Sequence, residues 1–357
     1  MANFASSIEI DGFIENLIAE DSANNDITTN SIINEDRECS AAIVIKNQGV
    51  LCGVHLAERV FMKIDSSTKV HTLFEDGARV SKGDVVLDVK GRARSILAGE
   101  RISLNLMQHL SGISTLTAQF VDSVKSTKAV IIDTRKTLPG IRKFQKYAVT
   151  AGGGRNHRMN LSDGILIKDN HIHLSSIDGL SMHDIVMKAK ENVPHSVQIE
   201  IEVETLEQLR DVMKADPDII LLDNMDIEMI RMAVEINNGK ALLEASGGVN
   251  LNNVKEIAET GVDMISIGAL THSCEALDMS LNILITKTDA IKNMFLHEFP
   301  PSGLIKHYKD FEDFRDATKR TWDITRTKSN APDGVDFWDD EIDIPEINRF
   351  IKTLPAE

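Results

Sequence analysis

The chain has 357 residues, with 39 Lys or Arg against 55 Asp or Glu and a formal net charge of -16. That length can bury one large core and suits two or three domains, while the acidic field repels phosphates and excludes nucleic acid or an anionic membrane as a general partner. Cys39, Cys52 and Cys274 are odd in number and widely spaced, which fits neither a disulfide framework nor a zinc pattern, so a reducing compartment is expected and each reads as a small core residue.

"MANFASSIEIDG" has no basic start followed by an apolar stretch, and no later apolar run approaches a bilayer span. The expectation is a soluble cytoplasmic protein. Residues 40–92 alternate short β-branched runs with turns, which predicts a small sheet domain with hairpins at Asp76-Gly77 and Lys82-Gly83. A lysine-bearing carrier hairpin has similar spacing, but no Met-Lys or Asp-Lys tip pair sits between matched halves. Helical spacing over residues 95–127 (Ile96, Ile102, Leu106, Leu110, then Leu116, Phe120, Val124) predicts helices linking this domain to the next.

From residue 129 short apolar runs recur at "AVIID", "GILIKD", "VQIEIEVE", "DIILLD", "ALLEASG" and "DMISIGA", with helix-like segments between them. Strands alternating with helices imply a parallel sheet, and six units without a switch in strand order favour a β/α barrel. Chemistry in such barrels sits at the carboxyl ends of the strands, which here carry Asp133, Arg135, Lys168, Asp169, Glu202, Glu204, Asp223, Glu244, Ser246 and Gly268.

Between Arg135 and Lys168 eight Lys or Arg face one acid, Asp163. Cations gathered on one rim repel each other unless a multiply charged anion binds there, Arg as a planar fork for carboxylate or phosphate and Lys as a point charge. Glu202 and Asp223, on consecutive strands, suit a hard divalent ion, Mg2+ shared with substrate phosphates. "ASGGV" and "IGAL" place small residues where barrels bind phosphate on backbone amides. Taken singly these features are ordinary: a strand-end acid is a helix cap, "SGG" a turn, and His157 a structural histidine. Arg142, Lys143 and Lys146 in "IRKFQKYAV" read as a solvated face.

The run "DTRKTLPGIRKFQKYAVTAGGGRNHRMNLSDGILIKDNHI" (residues 133–172), with "GERISLN", "IEVE", "LLDNM", "EASGGV" and "ISIGALTHS", closely resembles the quinolinate phosphoribosyltransferases, or carboxylating nicotinate-nucleotide pyrophosphorylases, over about residues 10–290. The resemblance implies a small N-terminal α/β sandwich (residues 1–113 with linking helices), an incomplete seven-stranded β/α barrel (114–290) and a C-terminal extension (291–357). It implies that Arg135, His157, Arg158 and Lys168 hold the two carboxylates of quinolinate, with Arg101 reaching in from the other subunit of a homodimer. Lys136 would contact the phosphates of phosphoribosyl pyrophosphate, Glu202 and Asp223 would serve the Mg2+-pyrophosphate side, and Ser246, Gly247 and Gly268 would surround the 5'-phosphate. Lys136, Lys168, Glu202 and Asp223 would be the catalytic set. The implied reaction displaces pyrophosphate from the ribose C1 with the pyridine nitrogen and then releases the 2-carboxylate as CO2, giving nicotinate mononucleotide in NAD biosynthesis.

"EDSANNDITT" (residues 20–29) lacks the glycines usual in the family's loop. Beyond about residue 290 the pattern stops, yet eight of the sixteen aromatic residues lie after residue 295, and Leu304, Tyr308, Phe311 and Phe314 fall at helical spacing. A docked helix followed by a more extended stretch is expected. Three alternatives compete: a Schiff-base barrel aldolase using Lys168, a phosphoribosyltransferase-like paralogue of molybdenum metabolism, and a non-catalytic scaffold. Joint retention of Arg135, His157, Arg158 and Lys168 counts against the second, and the absence of lost charge at the rim against the third.

Overall fold

The computed structural model describes residues 5–284 together with Pro345 and Ile347. The chain divides into two compact units at Asn282/Ile283. In the second, Ile283, Leu284, Pro345 and Ile347 are described, so the expected tail helix lies outside the described residues.

The first unit opens with α1 (Ser7–Glu20), started by a capping box in which Ser6 and Glu9 satisfy each other's backbone N–H groups. There follow α2 (Ile27–Ile32), β1 (Glu38–Ile45), β2 (Gly49–Val50), α3 (Val54–Ile64), β3 (Lys69–Thr72), β4 (Arg79–Val80) and β5 (Val85–Arg92). β5 pairs antiparallel with β1 on one side and β3 on the other, while β2 and β4 form a separate two-stranded sheet. Gly77 and Gly83 do turn the chain with positive φ. The strands flanking each turn, however, pair elsewhere, so neither expected hairpin forms: β3 and β5 belong to the larger sheet and β4 to the smaller.

One continuous helix, α4 (Ala93–Val124), covers the predicted linking region. Its apolar positions fall on more than one stripe. Ile96, Leu104 and Met107 enter the core beneath the N-terminal sheet with Phe61 and Leu87, while Ile102, Leu110, Ile113, Phe120 and Val124 enter the barrel core. A helix buried on both sides ties the two cores together, and the expected boundary at residue 113 falls inside it.

The barrel strands are β6 (Val130–Ile132), β7 (Ile165–Ile167), β8 (Ile199–Val203), β9 (Ile219–Asp223), β10 (Leu242–Ser246) and β11 (Met264–Ser266). All pair in parallel, in the order β6-β11-β10-β9-β8-β7. Intervening helices include α5 (Arg142–Ala151), α6 (Asp169–Ile177), α7 (Met182–Asn192), α8 (Leu206–Val212), α9 (Ile227–Asn237), α10 (Val254–Glu259) and α11 (Ala269–His272). The seventh strand is reduced to a single parallel bridge between Arg155 and Ile132, the last residue of β6. Parallel strands covered by helices read as near-continuous apolar runs. In β8 the outward Ile199, Ile201 and Val203 join the apolar core, while Glu200 and Glu202 line cavities inside the barrel.

After the barrel the chain returns. β12 (Met279–Leu284), which the sequence reading assigned to the barrel segment, is the edge strand beside β1 in the N-terminal sheet. Lys46 N–H donates to Asp278 O and Gln108 Nε2 to Met279 O, at 2.9 and 3.0 Å.

Candidate active site

The carboxyl ends of the barrel strands enclose a cavity of ≈ 610 Å³, a size typical of small-molecule sites. On one side stand Arg135 and Lys136, on the loop after β6, with His157 and Arg158 just past the Arg155 bridge and Lys168 at the end of β7. On the other stand Glu202, Asp223, Glu244, Ser246, Gly247 and Gly248.

The segment bearing His157 and Arg158 is held from below by Asp133 and Lys146. Asp133 accepts the His157 backbone N–H at 2.9 Å and the Asn156 amide at 2.6 Å, and Lys146 donates to Asp133 and to His157 O. Both side chains are fully buried, so the reading of Lys146 as part of a solvated face is corrected. Its helical position carries it inward, where burial is tolerated because a carboxylate and a carbonyl satisfy the ammonium.

Arg158 Nη1 donates to Gly164 O at 2.9 Å, but its Nε and that of Arg135 are buried without a partner among the described residues. Burial first, and then the charge of Arg135, push the Arg158 guanidinium below its usual range. Of the four cavity cations, Lys168 is the one with an ion pair among the described residues, to Glu202 at 3.0 Å. Burial raises the Glu202 carboxyl, Lys168 opposes this, and the nearby charges of Asp223 and Asp169 add to it.

His157 lies lower in the barrel. Its Nδ1 accepts the Arg158 N–H at 2.6 Å, so a neutral ring carries its proton on Nε2, which faces Glu200 at 2.9 Å and Glu244 at 3.6 Å. Burial pulls the imidazole pKa down, but the hydrogen bond to Glu200 and the two carboxylate charges outweigh it and raise it overall. Glu244 is pushed up to about 8, by burial first and by Glu200 second. Among the described residues, His157, Glu200 and Glu244 also form the one group of three ligand-type side chains clustered closely enough for a metal ion.

Two positions around the cavity depend on glycine. Gly247 has φ +92° and a Cβ there would collide with Asn224 Oδ1, displacing the side chain that donates to Asp223 at 2.7 Å. At Gly268 a Cβ would meet Lys136 Cδ at 2.9 Å. Gly268 therefore lies beneath the Lys136 side chain rather than in the cavity wall.

The structure thus brings together Arg135, Lys136, His157, Arg158, Lys168, Glu202, Asp223, Ser246 and Gly247, with Gly268 behind Lys136. Arg101 is not brought in: it is exposed on α4, and its one ion pair among the described residues is with Glu100, at 4.0 Å. Sequence reasoning placed Asp133 at a strand end without a role, read Lys146 as surface, and passed over Glu200. A signal for Glu200 was present, since "IEIEVE" sets acids at a spacing of two on the face that carries Glu202.

A small sheet domain joined to a parallel barrel with a cationic, acid-flanked cavity defines the class, a barrel enzyme acting on polyanionic small molecules. The family description "Quinolinate phosphoribosyl transferase" matches in two parts, the N-terminal domain over residues 26–111 and the C-terminal domain over 113–282. The chain belongs to the quinolinate phosphoribosyltransferase family. The carboxylating nicotinate-nucleotide pyrophosphorylase of Mycobacterium leprae is 43% identical over 265 residues, covering 72% of this chain and 91% of that protein. A mitochondrial decarboxylating quinolinate phosphoribosyltransferase of Nicotiana tabacum is 41% identical over 282 residues, covering 74% and 80%. Solved structures of the nicotinate-nucleotide pyrophosphorylases from Francisella tularensis and Ehrlichia chaffeensis superpose with TM-scores of 0.73 at 38% and 41% identity, covering 78% of this chain and 98% and 99% of theirs.

Proposed function

We propose that this chain transfers the phosphoribosyl group of phosphoribosyl pyrophosphate to quinolinate and decarboxylates the product, yielding nicotinate mononucleotide, pyrophosphate and CO2. The observation that carries this reading is the pair of buried guanidinium Nε groups, on Arg135 and Arg158, that lack partners among the described residues and stand beside Lys136 and Lys168 in one cavity. Unpaired cations held in a partly dry site are costly, and a dicarboxylate with a polyphosphate offsets that cost.

Arg135, Arg158 and Lys168 grip the two carboxylates and present the pyridine nitrogen to the ribose C1, while His157, its ring nitrogens engaged by the Arg158 N–H and Glu200, positions Arg158. Lys136, over Gly268, meets the phosphates. Glu202 and Asp223 are oxygen donors side by side, which suits a hard divalent cation completed by substrate oxygens. Mg2+ bound there supplies charge compensation for the departing pyrophosphate. Lys168 couples the two halves, because turning from Glu202 to a quinolinate carboxylate leaves Glu202 uncompensated and ready for a cation. Positioning and charge complementarity then do most of the chemistry, with the ribosyl cation flanked by carboxylates.

Arg101 reaches the cavity of a partner subunit in a homodimer, the arrangement that accounts for its exposure on α4. Among the described residues no helix is long and apolar enough to cross a membrane, and a cytoplasmic location fits the acidic charge balance and the odd number of widely spaced cysteines. The Schiff-base alternative is weaker because the Lys168 amine is engaged by Glu202 rather than presented as a free nucleophile. The test is incubation with quinolinate, phosphoribosyl pyrophosphate and Mg2+, following nicotinate mononucleotide and CO2. Absence of both products from well-folded protein overturns the assignment.

A further inference from the structure

The barrel encloses a second cavity, of ≈ 470 Å³, at the opposite mouth, where Val130, Ile219 and Met264 begin their strands. Exposed Ser196 and Gln198 line it and give it contact with solvent. His157, Arg158 and Glu244 wall both cavities, so this layer is the partition between them.

Glu244 is the anomaly in that partition. Its side chain is buried, and beside the His157 imidazole its polar neighbours are the Ser266 hydroxyl and the Glu200 carboxyl, with no cation hydrogen-bonded to it among the described residues. Two buried carboxylates thus face one imidazole, at 2.9 and 3.6 Å. Arg158 and, more distantly, Lys146 are the other charges nearby, while β11 contributes the uncharged Ser266. The imidazole and Arg158 both favour Glu200, the imidazole lies farther from Glu244, and like charges this close are not both ionised, so Glu244 is the carboxyl that keeps its proton.

The reading of the site under Proposed function, on which this inference rests, leaves one proton unaccounted for. Loss of CO2 leaves an electron pair on a ring carbon, and the product carries hydrogen there. The cavity's guanidinium and ammonium groups are of types that give up protons poorly near neutrality. A neutral carboxyl in the cavity floor is a far better donor.

We propose that Glu244 is the acid of the decarboxylation step, giving its proton to the ring carbon that loses CO2 and regaining one from water in the cavity at the opposite barrel mouth. The bond between ring carbon and carboxylate breaks, its electron pair stays on the carbon, and CO2 leaves. That pair takes the O–H proton of Glu244, forming C–H and a Glu244 carboxylate. A solvent proton arriving past Gln198 restores the acid, and no oxidant or reductant is consumed.

The test is single turnover with quinolinate, phosphoribosyl pyrophosphate and Mg2+, following pyrophosphate and CO2 separately. In Glu244→Gln pyrophosphate release should stay near the wild-type rate while CO2 release slows by at least ~100-fold, the scale of general acid catalysis. Quinolinate mononucleotide should accumulate, and Glu244→Asp should recover part of the rate. Unchanged CO2 release overturns the proposal, as does an equal fall in both steps, which would make Glu244 a structural support for His157. Should neither variant fold, the wild-type pH profile decides: CO2 release alone must fall at alkaline pH, and coincident profiles for the two products overturn the acid. One metal ion per chain in Mg2+-free enzyme, lost in Glu244→Gln, overturns it as well. Wild-type protein that releases no pyrophosphate overturns the activity itself, and the acid with it.

Discussion

Lys146 and Asp133 form an ion pair from which water is wholly excluded, joining α5 to the end of β6 directly beneath the segment that carries His157 and Arg158. Burial pushes the Asp133 carboxyl up and the Lys146 ammonium down, each opposed by the charge of the other. Removing one partner strands the other. Lys146→Met should therefore cost about 3–5 kcal/mol, and Lys146→Met combined with Asp133→Asn should lose less than the two single losses added. Urea unfolding of the three variants measures this, and single variants within about 1 kcal/mol of wild type would contradict a buried charged pair.

Gly268→Ala should act on Lys136 and little else. The new Cβ meets the flexible Lys136 chain at 2.9 Å and the tip of His272 at 3.1 Å, while the backbone at Gly268 is ordinary right-handed. The expected result is a higher KM for phosphoribosyl pyrophosphate with a nearly unchanged Tm. Gly247→Ala differs because strain at φ +92° adds to a collision with Asn224, so both stability and activity should fall. A Gly268→Ala enzyme with normal phosphoribosyl pyrophosphate kinetics would detach Lys136 from the phosphates.

Arg158→Ala should abolish turnover mainly through quinolinate binding, since a carboxylate left unmatched in a dry pocket is penalised by about 1–3 kcal/mol or more. Nicotinate, with one carboxylate fewer, should be a poor substrate for the wild type. Calorimetric titration with both acids separates the cases, and equal affinities would refute a two-carboxylate grip.

Mixing inactive Arg101→Ala and Lys168→Ala proteins should restore activity, because one site of a mixed dimer would receive both intact residues. Failure to complement, with mixed dimers shown to form, would remove Arg101 from the partner's site.

Glu244 also gives the fold a pH dependence of definite sign. The unfolded chain carries an ordinary carboxyl, deprotonated above ~4.3, whereas the folded group holds its proton up to about 8. The folded state binds the extra proton, so this stabilisation is complete below the ordinary value and is lost as pH rises through that window. Wild-type Tm should drop further than that of Glu244→Gln between about pH 5 and pH 8. Parallel Tm curves would mean that Glu244 ionises normally.

The six barrel strands were legible because each is a short apolar run ending in a charged residue, which is what a strand covered by helices and opening onto a polar rim must look like. The rim cations and Glu202 were legible for the same reason. Lys146 was not, since helical spacing shows which residues share a face but not that a distant Asp133 waits under one of them. Nor were the hairpins, where turn chemistry marked the right glycines while pairing was decided by strands far away in sequence. The role of Arg155 as a one-residue seventh strand depends on a single bridge, too short to leave any periodicity.

The return of Asp278 and Met279 to the N-terminal sheet sets a schedule for biosynthesis. While the ribosome is still making the barrel, β1 has one ladder of hydrogen bonds and an open edge, with Lys46 N–H lacking its Asp278 acceptor and Gln108 lacking Met279. Unpaired edges invite pairing with other chains, and contacts this distant in sequence form late. The first domain to emerge is thus the last to be finished. A nascent chain stalled before residue 277 should expose that edge to chaperones and neighbours, and release only after the barrel has been synthesised should close it.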